Sequence, residues 1–206
     1  MGLVLIKWIQ CRVSDMDAFG RAQRGWTELS AVEGFLGQCG GWSEPGVAQI
    51  VAFWRNQLDY ENFMTGAHDR IAESQAGTYD GIDVRLFDHH LDVGAGLPAG
   101  GSVARLAHCH VKAGRQEHFV LAQATVWNPG MVAAPGMRGG VFGRRGDAEF
   151  LVLSQWNSTA DHEQYRTDRF PELRRRSDAA DDLDSITGAL VELDPSWIVR
   201  PQVGQP

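Results

Sequence analysis

A cluster of basic residues is the first thing missing from this sequence: no run of Lys or Arg extends beyond Arg174, Arg175 and Arg176, and the net charge is −7. That excludes the electrostatic footprint of a nucleic-acid or anionic-membrane binder. Long apolar runs are also lacking. The N-terminal stretch Leu3–Ile6 is stopped by Lys7, too short for a signal core or a membrane span, so a cytoplasmic protein without a membrane partner is expected. Cysteine is scarce: Cys11, Cys39 and Cys109 are odd in number and have no CxxC spacing, which argues against a disulfide framework and a zinc knuckle. The glycines at 34, 37, 40 and 41 match neither the phosphate-loop nor the dinucleotide pattern and suit strand bends or bulges instead.

What the chain has is a repeat. "IVAFWRNQLDYENFM", from Ile50, returns as "LVLSQWNSTADHEQYR", from Leu151, so that Trp54 answers to Trp156 and Phe63 to Tyr165. Cys11 matches Cys109, "AQRGW" at 22–26 matches "AQATVW" at 122–127, and "EGFLG" at 33–37 matches "PGMRG" at 135–139. A repeat of this length is the duplication of a domain, unlike the short periods of solenoids. The glycines and proline of "DVGAGLPAGG" at 92–101 suit a linker, which gives a first unit at 1–91, a linker at 92–102 and a second unit at 103–199.

Each copy carries the same order of signals. Leu3–Val13 reads as a strand; Ser14 and Asp15 can cap a helix bearing Phe19, Ala22, Trp26 and Leu29; two strands flank the turn "SEPG". Asn56 opens a second helix with Tyr60, Phe63, Met64, Ala67 and Ile71 on one stripe, and "GIDVRLF" at 81–87 closes the unit as a strand. The order β-α-β-β-α-β is ferredoxin-like, with two helices on one sheet face. The other face would be left wet at about 25 cal/mol per Å² of apolar area. The expected fold is therefore α+β: two tandem ferredoxin-like units packed sheet to sheet as a pseudodimeric α+β barrel within one chain, with further homodimerisation left open.

Trp54 at a strand end, the helix "YENFM" and the "EGFLG" strand entry resemble the antibiotic-biosynthesis-monooxygenase-like (ABM) group of dimeric α+β barrels. With "IKWIQCRV" and "FMTGAHDRI", the first half is most similar to a bacterial branch of that group without an established function. The resemblance covers 3–91 well and 103–193 more loosely. It implies a cavity between helices and sheet for a small aromatic or haem-like molecule, and oxygenation in which the substrate itself activates oxygen. Haem-degrading members use an asparagine, a tryptophan and a histidine. Their counterparts here are Ile9 or Ala107, Phe63 or Tyr165, and His68, so one role of three is kept.

The expectation is a cofactor-independent monooxygenase-like protein acting on a small aromatic or polycyclic compound. His68 is the base or orienter, with Trp42, Trp54 and Phe63 as walls and Cys11 near the pocket. Arg166 and Arg169, which replace Met64 and Ala67 in the second copy, could hold an anionic ligand there. The alternative is a non-catalytic small-molecule-binding or stress-associated protein. No metal and no cofactor are assigned: in "HCH" at 108–110, alternation puts both histidines on one face and Cys109 on the other, leaving two ligands where a site usually has three. Metal binding by His108 and His110 stands as a third reading.

Overall fold

The computed structural model describes residues 4–97 and 100–202; Leu3 and, in the expected linker, Pro98 and Ala99 lie outside the described residues. The chain is α+β and divides into two compact units, Met1–Asp88 with Val191–Pro206, and His89–Leu190. The C-terminal segment is thus part of the first unit.

The first unit runs β1 (Leu5–Val13), α1 (Met16–Gln23), β2 (Phe35–Glu44), β3 (Val47–Trp54), α2 (Gln57–Thr65), α3 (His68–Ala72) and β4 (Tyr79–Val93), the last continuing past the boundary. Its antiparallel strands lie in the order β4-β1-β3-β2, as a ferredoxin-like unit requires. Local chemistry sets the ends. Asp15 caps α1 by accepting from the Ala18 amide at 2.9 Å, and Asn56 caps α2 by accepting from Asp59 at 2.9 Å. The expected second helix is broken after Thr65: Gly66 closes α2, and His68 is the first residue of a separate short helix. The first helix likewise tightens into a 3-10 segment at Arg24–Ala31.

The second unit repeats this plan with β5 (Val103–Val111), α4 (Gln116–Ala122), α5 (Asn128–Val132), β6 (Met137–Arg145), β7 (Glu149–Trp156), α6 (Thr159–Asp168), α7 (Phe170–Arg176), α8 (Ala179–Asp182) and β8 (Leu183–Leu193). β7 pairs with both β5 and β6 in antiparallel register. "AQATVW" is one residue longer than "AQRGW", and the extra residue is absorbed in a π-turn at Gln123–Trp127, the usual way a helix takes up an insertion. Pro171 sits in the first turn of α7, where its missing N–H costs nothing, and marks the break after α6.

The duplication is visible in detail. Gly34 and Gly136 have φ of +75° and +77°, and at each a Cβ would collide with the acidic residue in the first turn of the next helix, Asp59 or Asp161. Their carbonyls accept from the backbone amides of Arg55 and Asn157 at 2.7 and 2.8 Å. Register slips fall at Phe35/Gly37 and Met137/Gly139, the bulges that the glycine spacing suggested.

Trp54 and Trp156 anchor equivalent cores, Trp54 with Leu29, Phe35, Phe63 and Ile71, Trp156 with Val103, Met131, Tyr165 and Leu173. Burying an indole removes on the order of 200 Å² from water, about 5 kcal/mol of gross stabilisation.

Candidate functional site

The structure separates the residues expected to form one first-unit cavity into two groups. Trp54 stacks on Phe63 (4.9 Å between centroids, 25° between planes), and His68 meets both Phe63 (5.6 Å) and Trp26 (5.8 Å) edge-on. The Nδ1 atom of His68 lies 2.9 Å from Asp69 Oδ1, and its side chain is 21 % exposed. A histidine oriented by a carboxylate at the margin of an aromatic cluster can accept or relay a proton.

Trp42 and Cys11 belong to the other group, with Phe19, Ala48 and Ile50, and the space beside them is filled by Trp197. This fully buried indole lies 5.1 Å from Trp42 and 5.7 Å from Phe19. The segment that carries it is fixed along β2, where Gln38 and Val199 exchange backbone hydrogen bonds of 2.9 and 3.0 Å. Trp42 therefore walls a packed core made partly by the chain's own C-terminal segment. Burial pushes the Cys11 thiol up to about 11 and the Cys109 thiol up to about 12, so both are poor nucleophiles.

Lys7 was not singled out from the sequence, where it only interrupts an apolar run. It is 6 % exposed, its Nζ reaches Met64 Sδ at 3.8 Å and lies 5.0 Å from the Tyr60 ring, and burial lowers its pKa to about 8. A buried amine of lowered pKa, here packed against α2, is a pattern enriched at functional sites.

The second unit holds an open groove of about 600 Å³ between the segment Thr125–Pro135 and helices α6 and α7. Tyr165, Val126 and Leu173 supply apolar wall; Asp168, Arg169, Glu172 and Arg176 supply charge. Arg166 is spent on Glu163 at the exposed surface, and Glu172 is paired with Arg175 at 2.7 Å. Arg169 and Arg176 carry no ion pair among the described residues, so with Asp168 they leave the groove with one net positive charge. Of the two arginines expected at a ligand, the structure puts Arg169 in the groove lining and Arg166 outside it. Burial holds Tyr165 as a neutral phenol by raising its pKa, and burial together with the charges of Arg105 and Arg166 lowers that of His162.

His108 and His110 share the sheet face opposite Cys109, as alternation requires, with ring centroids 4.7 Å apart. Glu149 on β7 joins them, its Oε1 2.7 Å from His108 Nε2. It was missed because it is remote in sequence, although the β5–β7 register places it directly across from His110. Burial alone would raise the Glu149 pKa; the hydrogen bond from His108 and the charge of Arg145 outweigh it and hold the pKa below its usual value.

Elsewhere, Asp182, fully buried, receives Arg115 and His118, each at 2.7 Å. No helix among the described residues is long and apolar enough to cross a membrane.

Comparison with known proteins places the chain in a family. Residues 5–87 match the family described as Domain of unknown function (DUF4937). The uncharacterized protein YdbC of Bacillus subtilis is 37% identical over 93 residues, 41% of this chain and 78% of that protein. Among solved structures, FN1347 of Fusobacterium nucleatum, provisionally named a monooxygenase, superposes with a TM-score of 0.80 at 12% identity, over 97% of this chain and 95% of that one. An anthrone oxidase-like protein superposes with a TM-score of 0.67 at 18% identity, over 93% and 91%. The chain therefore belongs to the family of YdbC and DUF4937, and its fold is that of the ferredoxin-like ABM group, present here in two copies.

Proposed function

We propose that the protein binds a small planar aromatic acid or phenolate in the groove of the second unit, as a monooxygenase-like member of the ABM group. One observation carries this reading: a groove of about 600 Å³, lined by Tyr165, in which Arg169 and Arg176 have no paired carboxylate among the described residues. Its size falls in the usual range for small-molecule sites. A guanidinium fork matches a carboxylate or phenolate oxygen, and it also stacks on an aromatic plane. For a phenol, the deprotonated ligand is the electron-rich form that cofactor-free oxygenation needs, so the arginines would favour the reactive species as well as the bound one; for an aromatic acid they would serve binding alone.

The experiment compares planar aromatic acids and phenols with their methyl esters and ethers, reading thermal stabilisation and oxygen uptake together. The reading requires saturable stabilisation by acids and not by their neutral counterparts. Oxygen uptake would make the protein an enzyme; stabilisation without it would make it a binder. If no aromatic acid or phenol stabilises the protein, the reading fails.

A second reading is favoured by the His68–Asp69 pair, which sets a proton acceptor edge-on to Phe63, with the buried Lys7 against Tyr60 and Met64 of the preceding helix. There His68 would deprotonate a phenolic substrate. His68→Ala, at a partly exposed position, should slow oxygen uptake without lowering Tm; an unchanged rate removes His68 from the chemistry.

A further inference from the structure

We propose that His108, His110 and Glu149 bind one first-row divalent metal ion, of the zinc type. The three side chains come from neighbouring strands on one sheet face. His108 and His110 are two apart on β5, so they project to the same side, and Glu149 on β7 is the register partner of His110. Directly opposed residues in an antiparallel pair have Cβ atoms about 5 Å apart, close enough for both side chains to reach one point. All donor atoms lie within 4.8 Å of one another. A zinc ion about 2.0–2.2 Å from each ligand needs donors somewhat closer than that. His108 Nε2 and Glu149 Oε1 are hydrogen-bonded at 2.7 Å, nearer than two ligands of one tetrahedral ion stand, so an ion would part this pair slightly while the exposed His110 closes the remaining distance.

The donor set argues for the metal class. Two imidazoles and a carboxylate suit zinc and its first-row neighbours; calcium and magnesium prefer all-oxygen surroundings. Three protein ligands leave a position for water or a ligand donor, and the exposed edge at His110 gives access to it. The opposite face of the same strands is closed by Cys109, Phe119, Phe142 and Phe150, which fixes the backbone under the ligands. Arg145 Nη1 donates to both carboxylate oxygens of Glu149, to Oε2 at 3.0 Å and to Oε1 at 3.2 Å. It can keep Oε2 when Oε1 gives up the longer bond to the ion, in the manner of the outer partners that orient metal-binding carboxylates.

A metal-free account is also available: His108 and Glu149 simply form a hydrogen bond across the strands, and His110 is a surface residue. The two accounts differ in what His110 does. Chelator-treated protein is titrated with zinc chloride by calorimetry and with cobalt chloride by visible absorption, for wild type, His110→Ala and Glu149→Gln. The inference requires one ion per chain, the intense d–d bands of a four-coordinate cobalt site, and a loss in both variants beyond the roughly 10–100-fold that removal of an outer partner costs. His110 is at the surface, so its variant should keep the wild-type circular dichroism and Tm. Absence of saturable binding, or binding that His110→Ala leaves unchanged, would overturn it.

Discussion

The Nε1 of Trp156 donates to Ser154 Oγ at 3.0 Å, while its counterpart Trp54 has alanine, Ala52, two positions earlier and a buried Nε1 with no partner among the described residues. The duplicated framework thus satisfies the indole in one copy only. A buried unpaired donor costs on the order of 1–3 kcal/mol, and a satisfied one contributes about 1. Ala52→Ser should raise the unfolding free energy by about 1 kcal/mol, and Ser154→Ala should lower it by a similar amount or more. Denaturant midpoints at constant m-value would show it.

Lys7 gives the protein a pH signature. Its pKa falls from 10.5 to about 8 on folding because the ammonium is desolvated. Below pH 8 both states are protonated and the burial penalty is fully present. Between 8 and 10.5 the unfolded chain binds more protons than the folded one, so stability rises with pH across this window, by at most about 3 kcal/mol. Lys7→Met should flatten that rise and raise Tm at pH 7. A Tm at pH 7 lowered by the substitution would mean that contacts with Tyr60 and Met64 outweigh desolvation.

Asp182 depends on Arg115 and His118. With Arg115 removed the buried carboxylate keeps only His118, and Arg115→Ala should cost about 1–3 kcal/mol. Asp182→Asn combined with Arg115→Ala should recover part of this loss, which a double-mutant cycle in urea would measure.

The thiols should be inert in the folded chain. Cys11 and Cys109 titrate near 11 and 12 and all three cysteines are buried. Alkylation at pH 8 should be slow until denaturant is added, when three thiols react.

Much of the fold was readable because the repeat carries its own geometry: the glycine before each second strand, the helix-capping Asn56 and Ser158, and the strand-ending tryptophans recur in order. The breaks at Gly66 and Gln123 were less visible, since apolar spacing continues through both and only hydrogen bonding decides between α, 3-10 and π turns. In the candidate sites, local signals found His68, Phe63 and Trp54 together, but Trp42 could not be separated from them. The residue that fills its side, Trp197, is more than 150 positions away. Glu149 and Lys7 escaped for a related reason: cross-strand register supplies the one with its histidines, and burial shifts the pKa of the other.

The proposed function turns on Arg169, which lines the groove and has no carboxylate partner among the described residues. Calorimetric titration of 2-naphthoate into wild type and Arg169→Gln tests it most directly. Saturable one-to-one binding, weakened about tenfold or more by the substitution as expected for a charge-assisted bond worth 1.5–3 kcal/mol, is the predicted result. Equal affinity in the two proteins, or no binding to wild type, would contradict it.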